Sequence, residues 1–148
     1  IIQATPAHIG HTGFAPVLPL RGSTVAENVE LIRATIEEGF GNNHVCALYF
    51  PNDRSCIIVN SITFDVTDAA VAEKAYGTMK RLVLEAGQRG YTEYRAHVDL
   101  MDTVSDQLDF NDHAYRRFTE RIKDAVDPKG ILAAGRHGVW PTRFRESS

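Results

Sequence analysis

The alternation of two hydrophobic periods along this chain constrains its fold more than any other feature. Residues 24–41 and 67–87 carry apolar side chains every three or four positions, which predicts two amphipathic helices. Residues 44–50 and 55–64 lie between these helices and are rich in Val, Ile, Tyr, Phe and Cys, a composition typical of strands. The opening segment up to Leu20 holds three prolines, which limit it to an edge strand or an interrupted strand.

A short extended run, residues 91–97, follows the second helical segment. The predicted order is therefore strand, helix, strand, strand, helix, strand. This is the split βαβ order of a ferredoxin-like sandwich, in which two helices cover one face of an antiparallel sheet. The sequence thus predicts an α+β fold for this part of the chain.

Turn and capping residues set the predicted ends of these segments. Residues 51–54, Pro-Asn-Asp-Arg, have the composition of a turn and predict a hairpin between the two central strands. Thr24 and Glu27 stand in the relation of a capping box, which predicts the start of the first helix. Thr67 or Asp68 is predicted to cap the second helix.

The chain beyond residue 97 has a helical pattern. The spacing of Leu100, Val104 and Leu108 predicts a short helix, and Asn111 or Asp112 is expected to cap a longer one. The predicted apolar face of this longer helix consists of Tyr115, Phe118, Ile122 and Val126. The α+β part is therefore expected to be followed by a helical C-terminal segment.

Composition and charge exclude several classes of protein. The 148 residues are 43% hydrophobic and 24% charged, which is typical of a folded domain. Sixteen Lys and Arg stand against 19 Asp and Glu, so no basic footprint for nucleic acid is present. The apolar runs are far shorter than the roughly 18 residues that span a bilayer. Two cysteines, Cys46 and Cys56, are too few for a disulfide framework and favour free thiols in the cytoplasm.

Two short motifs are candidate site residues on chemical grounds. His11 lies between Gly10 and Gly13, where the backbone can approach a large planar group, although a solvated loop histidine fits the same pattern. A pair of His8 and His11 could hold a metal, but no further ligand completes the spacing, so no metal is predicted.

The second candidate motif is the pair Tyr94 and Arg95. The two side chains point to opposite faces in a regular strand, but a strand end relaxes that constraint. A phenol and a guanidinium together suit an anionic ligand, whereas an ion pair with a neighbouring acid is the alternative. Arg136 has the same ambiguity, and Asn60 and Ser61 fit either a pocket wall or a solvated face. These patterns alone do not identify an activity.

Five segments, in this order, resemble the C-terminal third of the vanillyl-alcohol oxidase and p-cresol methylhydroxylase flavoproteins, the bacterial eugenol oxidases above all. They are residues 11–16 (HTGFAP), 59–65 (VNSITFD), 90–97 (GYTEYRAH), 110–118 (FNDHAYRRF) and 127–136 (DPKGILAAGR). The resemblance implies that residues 1–97 are part of a cap (substrate) domain. It also implies that residues 98–148 return to an FAD-binding domain, which lies mainly N-terminal to this region in the family.

The resemblance also implies roles for individual residues. His11 matches the histidine that carries FAD covalently, and Arg95 matches an arginine beside the flavin pyrimidine. Tyr94 matches a tyrosine that hydrogen-bonds the phenolate oxygen of the substrate. Arg136 matches a position that faces the phenolate or the cofactor and is Lys in other members.

Two further positions complete the implied site. Gly13 and Val59 match residues that line the substrate cavity. One departure is Ala134, which stands where the family usually has Pro.

The implied reaction is the oxidation of para-substituted phenols such as vanillyl alcohol, eugenol or 4-alkylphenols. Hydride would pass from the benzylic carbon to FAD through a quinone methide, with dioxygen or a cytochrome as the final acceptor. The implied assembly is a homodimer without nucleic-acid or membrane partners. Two alternatives remain open: a non-catalytic ferredoxin-like module that binds a ligand or protein, and a related flavin oxidase of hydroxy acids or sugar alcohols.

Overall fold

The structure is a computed structural model that describes residues 8–41 and 44–145. The chain divides into two compact units, Ile1–Arg95 and Ala96–Ser148. The first unit consists of β1 (Ile9–Phe14), β2 (Pro16–Pro19), α1 (Gly22–Phe40), β3 (Val45–Tyr49), β4 (Ser55–Asp65), α2 (Ala69–Gln88) and β5 (Thr92–Glu93). The second unit contains α3 (Met101–Asp106), α4 (Phe110–Val126) and α5 (Thr142–Arg145), with short 3-10 turns at Val98–Leu100 and Arg136–Gly138.

The five strands form one antiparallel sheet. β1 and β2 both pair with β4, β2 pairs with β5 on its other side, and β3 pairs with the far edge of β4. The register of β1 and β2 on β4 is continuous, so the two form one strand interrupted at Ala15, next to Pro16. The split βαβ order and the α+β class are therefore confirmed. Residues 1–7 of the predicted opening strand lie outside the described residues.

The two helices of the first unit cover only one face of this sheet. The strand residues buried beneath them alternate along the chain and include Phe14, Leu18, Cys56, Ile58 and Ile62. They meet the buried helix residues Ile32, Ile36, Ala75, Met79 and Leu82. The odd-numbered residues of β1 and β4 point to the opposite face, which we call the open face. Its members described below are His11, Gly13, Val59, Ser61 and Thr63.

The predicted N-terminal cap of α2 is confirmed, whereas the predicted N-terminal cap of α1 is wrong. The Asp68 side chain accepts hydrogen bonds from the backbone N–H groups at the start of α2. By contrast, α1 begins at Gly22, ahead of the predicted capping box of Thr24 and Glu27, and no side chain caps it. The physical reason is that Arg21, in extended conformation, already follows the strand β2 and accepts the first helical hydrogen bond through its carbonyl.

The predicted hairpin joins β3 to β4. Asn52 closes the turn, because its side-chain Oδ1 accepts hydrogen bonds from the N–H groups of Arg54 and Ser55. The strands then pair in register from Tyr49 opposite Ile57.

The two helices predicted beyond residue 97 are present as α3 and α4. The predicted cap of α4 is wrong, since Asn111, Asp112 and His113 all have positive φ angles of 48°, 53° and 52°. These residues form a left-handed turn, a conformation that Asn and Asp tolerate better than other non-glycine residues. The Asp112 carboxylate forms an ion pair with Arg117 at 2.8 Å, so it binds a side chain further along the helix.

The predicted apolar face of α4 is exposed in this chain. Phe118 is 63% exposed and Val126 is 70% exposed, and no residue of the helix is buried. The amphipathic pattern therefore predicted the helix correctly, although the described residues do not cover its apolar face. In the part of the chain that the structure describes, no helix is both long and apolar enough to pass through a membrane.

Candidate functional site

His11 lies in the middle of β1 on the open face. Its register partner is Thr63, and Gly13 is paired with Ser61 in the same strand pair. The ring Nε2 of His11 lies 3.1 Å from Ser61 Oγ. Strand pairing thus brings together an imidazole and a hydroxyl that are 50 residues apart in sequence. His11 is solvent-exposed in a strand, so the alternative of a loop histidine is wrong.

Gly13 leaves the backbone beside this imidazole without a side chain. A Cβ atom at this position would lie 3.1 Å from the carbonyl oxygen of Asn60 and 3.7 Å from Cε1 of His11. The first contact is tighter than most real Cβ contacts, so a side chain would push against the backbone of β4. A larger residue here would therefore narrow the surface next to His11.

Val59 shares the open face with these residues and is half-buried. Its partner across the hairpin is Ala47, and the nearby β3 residues Val45 and Tyr49 are 68% and 59% exposed. The open face thus combines an imidazole, hydroxyls and apolar side chains. Such a mixture suits a flat, mostly apolar ligand with a few polar atoms.

The neighbouring residues Asn60 and Ser61 take different sides of the sheet. Asn60 is buried; its Nδ2 donates to the carbonyls of Phe14 and Ile58, at 3.0 and 2.8 Å, and its Oδ1 lies 2.8 Å from His44 Nε2. Asn60 is therefore part of the core, whereas Ser61 lies on the open face beside His11.

Tyr94 and Arg95 follow directly after β5, where the chain bends. The backbone N–H of Tyr94 donates to the carbonyl of Ala15 at 2.8 Å, two residues beyond Gly13 on the same strand. Tyr94 is 59% exposed, and Arg95 is also exposed. Within residues 8–41 and 44–145 the Arg95 guanidinium forms no ion pair, so the alternative of a paired arginine is not realised.

Arg136 belongs to the second unit. It opens a short 3-10 turn after Gly135, whose φ of +77° is a conformation that favours glycine. The Gly135 N–H donates to the carbonyl of Val139 at 3.1 Å, and Gly138 packs against Ser105. The guanidinium of Arg136 is thus exposed on a loop whose backbone is tied down on both sides.

Known proteins of similar sequence and structure identify the family. No protein-family model matches the chain. The flavoprotein subunit of 4-cresol dehydrogenase (hydroxylating) from Pseudomonas putida is 28% identical over 131 residues, which are 88% of this chain and 24% of that protein. A solved structure of 4-ethylphenol oxidase from Gulosibacter chungangensis, in complex with isoeugenol, matches 93% of this chain at 33% identity with a TM-score of 0.86.

The chain is homologous to the C-terminal part of flavoproteins of the vanillyl-alcohol oxidase and p-cresol methylhydroxylase family. The solved structure of p-cresol methylhydroxylase with substrate bound agrees, with 27% identity over 88% of this chain and a TM-score of 0.79. The resemblance noted in the sequence is thereby confirmed. The chain spans about a quarter of the length of these relatives, within their C-terminal part.

The chain also contains a buried acid that the sequence analysis did not single out. Glu93 is 8% exposed, and both its carboxylate oxygens accept a hydrogen bond from the N–H of Ala15, at 2.8 and 3.0 Å. Burial raises the pKa of Glu93 to about 7, although the N–H groups of Ala15 and Arg95 act in the opposite direction. The available signal was an acid at an inward-facing position of a strand.

A second buried acid explains the family-like segment 127–136. The carboxylate of Asp127 accepts the N–H groups of Ile131 and Leu132 at 3.1 and 2.9 Å. Lys123 lies 2.8 Å from the same carboxylate. Hydrogen bonding to Lys123 and to these N–H groups lowers the pKa of Asp127 to about 2. Asp127 therefore fixes the loop that leads towards Arg136.

Metal chemistry finds no support in this geometry. Among the residues that the structure describes, no three His, Cys, Asp or Glu side chains lie together as a metal site. The two cysteines are free; Cys56 is buried and Cys46 is partly exposed.

Proposed function

We propose that this chain is part of a flavin-dependent oxidoreductase and positions a para-substituted phenol against covalently bound FAD. The observation that carries the proposal is the arrangement along one strand. His11 and Gly13 occupy the open face of β1, and the Tyr94–Arg95 strand end is hydrogen-bonded to Ala15 immediately beyond them. The names of the relatives, a cresol dehydrogenase and an ethylphenol oxidase, support a phenolic substrate.

The residues present fit the flavin at one end of this arrangement. The His11 imidazole is exposed and held by Ser61, and the bare backbone at Gly13 admits a planar ring beside it. FAD, when bound through His11, supplies the hydride acceptor. Arg95, which keeps its positive charge and forms no ion pair within the described residues, would stabilise negative charge that develops on the ring.

The phenol would be ionised by the residues at the strand end. Tyr94 would donate a hydrogen bond to the phenolate oxygen, and the positive charge of Arg95 would favour the anion, so the pKa of the phenol would fall. Loss of hydride from the benzylic carbon of a phenolate leaves a neutral quinone methide, which is why ionisation eases the step. Gly13 and Val59 would shape the cavity around the aromatic ring.

The remaining assignments follow the same proposal. Residues 1–97 would form part of a cap domain, and residues 98–148 would return to the N-terminal FAD-binding part of the same protein. We further propose a homodimer in the cytoplasm without nucleic-acid or membrane partners, in keeping with the balanced charge and the free cysteines. Either dioxygen or a cytochrome would reoxidise the flavin.

The flavin attachment is tested by His11→Ala in the full-length protein that contains this chain. We expect the loss of flavin that stays with the protein after acid precipitation, because only a covalent bond survives that treatment. His8→Ala is the matched control, since His8 is an exposed histidine three residues earlier, and it should keep its flavin. Acid-stable flavin in the His11 variant would refute attachment through His11, whereas an unmodified protein without any flavin would favour a non-catalytic module.

A further inference from the structure

The strand end that carries Tyr94 departs from regular sheet pairing. In the register of β2 and β5, Pro16 lies opposite Glu93 and Val17 opposite Thr92. The next pair in this register would be Ala15 and Tyr94. In a regular antiparallel ladder such a pair exchanges two hydrogen bonds, from each N–H to the opposite carbonyl. The bond from the Tyr94 N–H to the Ala15 carbonyl is present at 2.8 Å.

The second hydrogen bond of this pair, from the Ala15 N–H to the Tyr94 carbonyl, is replaced by another. The Ala15 N–H donates to the carboxylate of Glu93, at 2.8 and 3.0 Å, in the place where regular pairing would use the carbonyl of Tyr94. The backbone N–H of Arg95 is close enough to this carboxylate to lower its pKa. A side chain has therefore replaced a backbone acceptor, and the chain leaves the sheet at this residue, with a bend at Tyr94 and Arg95.

We propose that Glu93 is a positioning residue for the phenol-binding strand end. Its carboxylate terminates β5 and turns Tyr94 and Arg95 out of the sheet. At the same time it ties them to Ala15, on the strand that carries His11 and Gly13. This inference rests on the proposed function, because it concerns where Tyr94 and Arg95 stand relative to the phenol and the flavin.

The chemistry of the contact accounts for an acid at this buried position. The N–H of Ala15 donates to both oxygens of one side chain, and the N–H of Arg95 acts on the same carboxylate. A carboxylate offers two acceptor oxygens, whereas a Gln amide offers one oxygen and would turn an NH₂ group towards a donor. Glu93→Gln therefore keeps the size of the side chain and loses half of its acceptors. Glu93→Asp keeps both oxygens on a stem shorter by one methylene.

The test uses the full-length holoenzyme and isoeugenol, the phenol in the solved complex of a relative. The ultraviolet absorption of bound isoeugenol reports whether the phenol is ionised, and turnover of vanillyl alcohol gives kcat and KM. For Glu93→Gln we expect acid-stable flavin to be retained, the bound phenol to ionise at a higher pH, and kcat to fall at least about tenfold with a smaller change in KM. Glu93→Asp should recover part of the loss. Glu73→Gln, an exposed acid on α2, should behave as the unmodified protein.

A double variant separates positioning from a general structural role. In a Tyr94→Phe background the effect of Glu93→Asp on phenol ionisation should largely vanish, because Glu93 acts through Tyr94. An undiminished effect in that background would overturn the proposal. The Glu93→Asp arm also applies if Glu93→Gln does not fold.

The remaining outcomes distinguish the two proposals. Normal ionisation and turnover in Glu93→Gln, with an active unmodified protein, would overturn the role of Glu93 and leave the proposed function intact. An unmodified protein that carries flavin but neither ionises isoeugenol nor oxidises vanillyl alcohol would overturn the proposed function, and this inference with it.

Discussion

Two buried acids, Glu93 in the first unit and Asp127 in the second, both accept hydrogen bonds from backbone N–H groups, but their electrostatic surroundings differ. The Glu93 carboxylate accepts the N–H of Ala15 through both oxygens at the end of β5, and the Asp127 carboxylate accepts the N–H groups of Ile131 and Leu132 after α4. Asp127 also has Lys123 at 2.8 Å, and its pKa falls to about 2. Glu93 is buried without a cation among its named partners, and its pKa rises to about 7. Loss of hydration is therefore the dominant influence on the pKa of Glu93, whereas the hydrogen bond to Lys123 is the dominant influence on the pKa of Asp127.

The largest effect is expected from Glu93→Ala. The substitution leaves the N–H group of Ala15 without its acceptor, and a buried donor left unsatisfied costs about 1–3 kcal/mol. We expect the free energy of unfolding to fall by about 1–3 kcal/mol in urea denaturation. Glu73→Ala, the exposed control, should change it by no more than about 0.5 kcal/mol. Equal effects of the two substitutions would contradict a buried anchoring role.

The second prediction concerns pH. Because the folded pKa of Glu93 is raised from 4.5 to about 7, the folded protein holds a proton that the unfolded chain releases between these values. Glu93 therefore lowers stability as the pH rises from about 4.5 to about 7, with a slope of up to about 1.4 kcal/mol per pH unit. Denaturation at a series of pH values measures this slope. Glu93→Gln should remove it, and an unchanged slope would show that another group titrates.

The third prediction tests whether the cation makes the difference. Asp127, with a folded pKa of about 2, stabilises the protein above the unfolded pKa of 3.8, and this contribution is lost as the pH falls towards 2. Lys123→Met removes the cation and keeps a long apolar stem. The folded pKa of Asp127 should then rise towards 3.8, and the loss of stability between about pH 4 and pH 2 should become smaller. A carboxyl resonance of Asp127 that titrates as before would contradict the comparison.

The sequence predicted the elements that depend on local pattern. The two helices, the hairpin turn and the Asp68 cap follow from periods and residue types within a few positions. The hydrogen bond between His11 and Ser61 and the one from Ala15 to Glu93 could not be predicted from the sequence, because they join residues that are 50 and 78 positions apart. Such contacts depend on the register of the strands. The register is set jointly by the lengths of the turns and by the pairing of several strands.

The errors have local physical causes of a different kind. Thr24 and Glu27 have the right spacing for a cap, yet the extended Arg21 starts the helix earlier. Asn111 and Asp112 are good capping residues, and the same short polar side chains also tolerate the left-handed turn that they adopt. For α4, the apolar stripe predicted a helix face but carried no information about what covers it.

The continuous register of β1 and β2 on β4 has a consequence for how this sequence can evolve. Side chains alternate between the core and the open face, and the parity holds without a break from Ile9 to Pro19. Substitutions at odd positions of β1 change only the open face. The insertion or deletion of a single residue between His11 and Phe14 would exchange the faces on one side of the change, so that either His11 would enter the core or Phe14 would leave it, unless a bulge took up the extra residue. Replacement at constant length keeps both faces as they are.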